Sequence, residues 1–187
     1  MLSHGPRAPH APVNLARDGE TAEIAVEAAL TGHQVLSTMH CNDAPGAIAR
    51  LDDMGIQPFL ISSSVILSCA QRLIRRICPA CKEEVAYPDK MFHDLHLDPK
   101  GWAGVKLFKG RGCERCKNTG YSGRCAIIEV MTVTDEIRKL VIQRASASEV
   151  GKIAVEQGMK TLRVVALEKV REGITTLEQV LVATAAH

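Results

Sequence analysis

The sequence predicts an α/β protein that carries a cysteine-rich insertion. Short runs of aliphatic and β-branched residues lie between segments that have helix-capping residues and terminal glycines. Four cysteines form two CxxC pairs in the middle of the chain. A composition of 46% hydrophobic and 24% charged residues over 187 positions is that of an ordinary globular protein, so the chain can bury a core.

The chain begins with a segment that has no regular period. Residues 1–13 hold three prolines, which predicts a disordered leader without a core. A helix follows from about Glu20 to Leu30, with Asp18 as its N-cap and Gly32 as its left-handed C-terminal stop.

A strand and a second helix come next. The run from Gln34 to Met39 predicts a short buried strand, because aliphatic residues follow a glycine turn and precede a polar break. Asn42 or Asp43 then caps a helix from Ala44 to Met54, which Gly55 ends.

Pro58 opens a long apolar segment. Proline fits the first turn of a helix, so we predict one helix from Pro58 to Ile77. The apolar stretch from Pro58 to Ala70 is interrupted by serines and is too short to span a bilayer.

The last third of the sequence predicts one strand followed by four helices. Cys125 to Met131 predicts the strand. Ser146 with Glu149, and Thr175 with Glu178, match the capping box, in which each side chain accepts a free backbone N–H. The predicted helices cover about residues 135–143, 147–157, 161–172 and 175–183.

The two CxxC pairs predict a structural zinc site. Cys78, Cys81, Cys113 and Cys116 supply four thiolates, the set that closes a tetrahedral Zn²⁺ site. The 31 residues between the pairs exceed the usual ribbon spacing, so an excursion must loop out, and we expect it to have little core without the metal. Two disulfides and unliganded thiols are the alternatives. The other cysteines stand alone, which suits a reducing compartment; they are Cys41, Cys69 and Cys125.

Charge does not indicate a nucleic-acid partner. The formal net charge is only +2, and aromatic residues that stack on bases are scarce. Basic residues between and beside the CxxC pairs nevertheless leave a nucleic-acid-binding zinc ribbon as a minor alternative; they are Lys106, Lys109, Arg111, Arg115, Lys117 and Arg124.

Several motifs resemble those of the ATPases that drive type IV pilus assembly and type II secretion. The motifs are residues 17–22 (RDGETA), 31–44 (TGHQVLSTMHCNDA), 71–73 (QRL), both CxxC pairs and 120–124 (GYSGR). The first resembles the end of the family's Walker B segment, the second its histidine box, and the cysteines its tetracysteine zinc subdomain. Residues 42–45, 50–55 and 58–65 resemble the pilus-assembly (extension) branch more than the type II secretion branch.

The resemblance implies the C-terminal part of a RecA-like P-loop ATPase core with two further subdomains. The expected division is a non-homologous or disordered leader (1–16), a RecA-like core fragment (17–77), a zinc-binding tetracysteine subdomain (78–127) and a helical C-terminal subdomain (128–187).

The same resemblance suggests residues that contact nucleotide. His40 is a candidate nucleotide sensor or subunit-coupling residue, His33 its support, and Arg17 a candidate phosphate contact, with ATP and Mg²⁺ as ligands of the intact family member. The sequence contains no G-x-x-x-x-G-K-[ST] phosphate loop. Asn14 and Leu15 align with the glycine and the glutamate of the Walker B segment. We therefore expect the chain to be inactive alone.

The implied function is that of a fragment of a cytoplasmic, hexameric motor. Its family assembles as homo-hexamers and acts through an inner-membrane platform protein, with no nucleic acid involved. ATP hydrolysis by the hexamer would power type IV pilus assembly. The alternatives are a type II secretion ATPase fragment and a non-enzymatic, zinc-stabilised interaction module.

Overall fold

The computed structural model describes the backbone of residues 10–12 and all of residues 19–184. Both of these segments contain regular secondary structure. In chain order the elements are β1 His10–Pro12, α1 Gly19–Leu30, β2 Gln34–Leu36, α2 Ala44–Asp53, α3 Pro58–Ser64, β3 Leu67–Ile77, β4 Lys82–Glu84, α4 Asp89–Asp94, β5 Phe108–Gly110, β6 Tyr121–Thr132, α5 Asp135–Ile142, α6 Ala147–Glu156, α7 Leu162–Arg171 and α8 Leu177–Thr184.

The described residues form an α/β structure with two compact units. The first unit takes its residues from Met1–Ala70 and Val130–Met159, and the second from Gln71–Glu129 and Lys160–His187. Each of the three sheets in the described part has two strands, paired β1 with β2, β3 with β6, and β4 with β5. None of the described helices is long and apolar enough to cross a membrane.

The start of the chain differs from the sequence prediction in two ways. The leader was expected to carry no strand, yet His10–Pro12 pairs in parallel with Gln34–Leu36, residue for residue. The predicted strand from Gln34 to Met39 is three residues long and exposed rather than buried, with Leu36 65% accessible. A short strand that pairs on one side only has no sheet to bury it.

The first two helices follow the prediction closely. Gly32 and Gly55, which follow α1 and α2, both have a φ of +91°, the left-handed conformation that ends a helix. The Asp43 carboxylate accepts the Gly46 N–H at 2.7 Å and caps α2. The predicted cap Asp18 lies outside the described residues.

The predicted helix from Pro58 to Ile77 is wrong. The helix α3 ends at Ser64, and the strand β3 begins at Leu67. The hydroxyls of Ser63 and Ser64 donate to backbone carbonyls four residues earlier, a pattern that weakens helices. Beyond these serines, exposed and buried residues mostly alternate along β3. This is the two-residue period of a strand, which the apolar composition of the segment did not reveal.

The excursion between the cysteine pairs has a small core of its own, contrary to expectation. It contains the antiparallel pair β4–β5, the helix α4 and a 3-10 turn at Pro99–Trp102. Phe92 and Trp102 are buried and their ring centroids lie 6.1 Å apart. Leu95 and Leu107 are buried as well, so apolar contacts stabilise the excursion alongside any metal.

The C-terminal prediction is largely confirmed. The predicted strand lies within β6, and the four helices begin and end within two residues of the predicted limits. Ser146 and Glu149 form the expected capping box, with the Glu149 N–H donating to the Ser146 hydroxyl and the Ser146 N–H to the Glu149 carboxylate. Thr175 and Glu178 do not act as predicted: the Thr175 hydroxyl donates to the Arg75 carbonyl and Glu178 accepts side-chain donors.

Candidate metal centre

The four predicted cysteine ligands meet in one cluster. All four sulfurs lie within 4.8 Å of one another. The Cys113–Cys116 pair is separated by 3.7 Å, and the Cys78–Cys113 and Cys81–Cys116 pairs by 3.9 Å. A tetrahedral zinc with Zn–S bonds of about 2.3 Å requires sulfurs about 3.8 Å apart. The cluster therefore has the size of a zinc tetrathiolate site, and its sulfurs are too far apart for disulfide bonds of about 2.05 Å.

Backbone hydrogen bonds hold the two CxxC turns together. The Cys78 N–H donates to the Gly120 carbonyl and the Arg111 N–H to the Cys81 carbonyl, both at 2.9 Å. Gly110 and Gly120 lie so close that a Cβ on Gly110 would overlap the Gly120 carbonyl oxygen. Glycine at these positions lets the segments before and after the second pair approach each other.

Burial and hydrogen-bond donors shift the pKa values of the cluster's thiols in opposite directions. Burial raises the pKa of the Cys81 thiol to about 12. Burial has the same effect on Cys116, but the N–H groups of Cys113 and Gly120 and the thiols of Cys113 and Cys81 hydrogen-bond to its sulfur and together outweigh burial, so its pKa falls to about 6. The cluster therefore favours a thiolate at Cys116, the form in which cysteine binds metal.

A hydrogen-bonded network joins the excursion between the two CxxC pairs to α8. This network was not predicted from the sequence. The Glu178 carboxylate accepts the Tyr87 hydroxyl at 2.8 Å and the Lys109 ammonium at 2.9 Å. Burial acts to raise the pKa of Glu178, but these two donors outweigh it and hold the pKa below its ordinary value. The Tyr121 hydroxyl lies 2.9 Å from that of Thr176. No motif pairs these residues, because they are far apart in sequence.

Two of the predicted nucleotide residues, His33 and His40, lie in the first unit. Arg17, Asn14 and Leu15 fall outside the described residues. His33 is exposed, and its Nδ1 lies 3.1 Å from the Thr31 hydroxyl. His40 is exposed in the segment between β2 and α2. The described residues show no partner that assigns a role to either histidine, so both roles remain predictions.

An α/β chain with a buried tetracysteine cluster matches the class that the sequence motifs suggested. The family described as "Type II/IV secretion system protein" matches residues 15–182. The chain belongs to that family. The match includes both CxxC pairs and most of the described residues.

Relatives named for both branches of the family match this chain. The chain is 52% identical over 168 residues to the type IV pilus assembly ATPase PilB of Thermus thermophilus and 49% identical over 170 residues to that of Myxococcus xanthus. It is 48% identical over 168 residues to the type II secretion system protein E of Pseudomonas aeruginosa. Each match covers 90% of this chain but only 19%, 30% and 33% of the respective relative.

Solved structures share the fold at low sequence identity. The Legionella pneumophila ATPase DotB matches with a TM-score of 0.61 and the ADP-bound pilus retraction motor PilT with 0.62, both at 21% identity. Each match covers 95% of this chain, and 39% and 40% of the solved chain respectively. At this identity the likeness supports the fold alone.

Proposed function

We propose that this chain is the C-terminal part of a hexameric secretion ATPase subunit that powers type IV pilus assembly. The observation that carries the proposal is the 52% identity to a pilus assembly ATPase over 90% of the chain. The residues 42–45 and 50–55, which resemble the pilus-assembly branch, support the same assignment.

In this proposal the chain provides three parts of the motor subunit. Residues 17–77 form the end of a RecA-like core, residues 78–127 the zinc subdomain and residues 128–187 the helical C-terminal subdomain. His40 senses the nucleotide, His33 supports it and Arg17 contacts phosphate in the ATP- and Mg²⁺-bound hexamer. Because the sequence has no phosphate loop and has Leu15 at the acidic Walker B position, the chain alone does not hydrolyse ATP.

The metal in this proposal is a structural Zn²⁺ held by Cys78, Cys81, Cys113 and Cys116. The donor set supports zinc, since four thiolates at these separations suit its tetrahedral geometry and its softness. The ion would cross-link the two turns and neutralise thiolate charge. The protein's own residues provide the close glycine contact and the amide donors around the sulfurs.

The partners follow from the motor assignment. We infer homo-hexameric contacts with other subunits and an inner-membrane platform protein that transmits motion to the pilus. The protein would lie in the cytoplasm, peripheral to the inner membrane through these partners. Nucleic acid has no part in this function.

Deletion of the gene in its source organism, followed by complementation, tests the assignment. Loss of surface pili with normal secretion of folded exoproteins supports the pilus motor. Loss of exoprotein secretion with normal pili contradicts it and favours a type II secretion ATPase, the alternative that the 48% identity to a protein E supports. If complementation with His40→Ala in the gene restores the lost phenotype, the nucleotide role of His40 is wrong, as expected for the other alternative, a non-enzymatic zinc-stabilised module.

A further inference from the structure

The four residues of the cysteine cluster differ in accessibility. Cys78 is fully buried, and Cys81 and Cys116 are each 6% exposed. Cys113 is partly buried, and thus the most accessible member of the four. An attacking reagent therefore reaches the cluster most easily from the side of Cys113.

Hydrogen bonding makes the four sulfurs differ in reactivity as well. The Gly112 N–H donates to the Cys81 sulfur at 3.3 Å, and the N–H groups of Cys113 and Gly120 donate to the Cys116 sulfur at 3.2 and 3.3 Å. Hydrogen bonds to a thiolate draw on its lone pairs and reduce its nucleophilicity. Cys81 and Cys116 are thus less reactive, and burial shields Cys78.

Accessibility and hydrogen bonding together single out Cys113 among the four cysteines. It is the partly exposed member, whereas Cys78 is buried and the sulfurs of Cys81 and Cys116 accept amide N–H groups. Oxidants modify accessible cysteines in preference to buried ones.

We propose that Cys113 is a peroxide-sensitive modification site that opens the cluster, an inference that rests on the proposed zinc site. The Cys113 thiolate attacks one oxygen of hydrogen peroxide; a S–O bond forms, the O–O bond breaks and hydroxide leaves, giving the sulfenic acid. The Cys116 thiolate, 3.7 Å away, then attacks the oxidised sulfur. An S–S bond forms, the S–O bond breaks and hydroxide leaves. The proposed metal site then has two of its four thiolates left, those of Cys78 and Cys81.

The test uses the full zinc-loaded chain, exposed to hydrogen peroxide in small molar excess with dimedone to trap sulfenic acid. Peptide mass spectrometry then measures modification at each cysteine, and a colorimetric chelator follows zinc release. We expect Cys113 to react at least about fivefold faster than Cys78, Cys81 or Cys116, and a Cys113–Cys116 disulfide to form without dimedone as zinc is released.

A variant with an intact cluster controls the experiment. Cys69→Ser removes an exposed thiol outside the cluster and is expected to leave zinc release unchanged.

The outcomes separate this inference from the zinc site itself. Protein that contains zinc but reacts equally at all four cysteines, or first at another one, overturns the inference and leaves the zinc site standing. Zinc release that precedes modification of Cys113, or that requires Cys69, overturns it as well. Protein purified without any zinc contradicts both proposals.

Discussion

Replacing Glu178 with glutamine tests the network that joins the excursion between the two CxxC pairs to α8. The carboxylate accepts one bond from the Tyr87 hydroxyl and one from the Lys109 ammonium. Glutamine keeps the shape of the side chain but removes its charge. Both donors then face a neutral acceptor, which is the weaker partner.

The magnitude follows from the exposure of each partner. The Lys109 and Glu178 side chains are 52% and 30% exposed, so their ion pair contributes at most about 1 kcal/mol after screening. The Tyr87 bond loses its charged acceptor, which costs about another 1 kcal/mol. We therefore expect Glu178→Gln to lower the free energy of unfolding by about 1–2 kcal/mol at pH 7. Glu84→Gln is the matched control, because the Glu84–Lys106 pair is 56% and 71% exposed and contributes little.

The assay is urea unfolding of the zinc-loaded chain followed by fluorescence of Trp102, the single tryptophan, which is buried in the second unit. The pKa of folded Glu178 is lowered, so its stabilisation is present above the unfolded pKa and is lost as pH falls through the folded value. The difference between wild type and Glu178→Gln should thus shrink below about pH 4.5. If both variants unfold like wild type at pH 7, or if Glu84→Gln costs as much as Glu178→Gln, the reasoning is refuted.

Three further predictions address other features. Ser146→Ala removes the capping box of α6 and should cost about 1 kcal/mol of unfolding free energy in thermal or urea melts; an unchanged stability would contradict the capping role. Gly110→Ala forces backbone apart at the cysteine cluster and should reduce bound zinc, measured by elemental analysis, whereas Gly101→Ala, which has open space, should not; equal zinc in both variants would contradict the close-contact argument. The isolated chain with Mg²⁺ and ATP should release no phosphate above a buffer blank, and release abolished by His40→Ala would show that it is an active ATPase.

Local chemistry made much of the fold predictable. Asp43 and Ser146 act as helix caps because their side chains bond amides three residues away, and such pairs are visible in sequence. Gly32 and Gly55 end helices for a similarly local reason, their left-handed conformation. The cysteine spacing identified all four members of the cluster.

The errors arose where long-range contacts decide the structure. The segment from Leu67 to Ile77 becomes a strand because β6, more than forty residues later, pairs with it. Glu178 was read as a capping residue, but its partners Tyr87 and Lys109 lie 91 and 69 residues away. The aromatic core of the excursion was missed because Phe92 and Trp102 are separated by a loop and show no period.

Zinc content tests the central claim, a structural metal site at the tetracysteine cluster, most directly. The protein is purified without chelator and its metal is measured by elemental analysis beside two variants, Cys78→Ser in the cluster and Cys69→Ser outside it. We predict about one zinc per chain in wild type and in Cys69→Ser, and a large loss in Cys78→Ser. Wild-type protein without zinc, or Cys78→Ser with its full complement, would contradict the account.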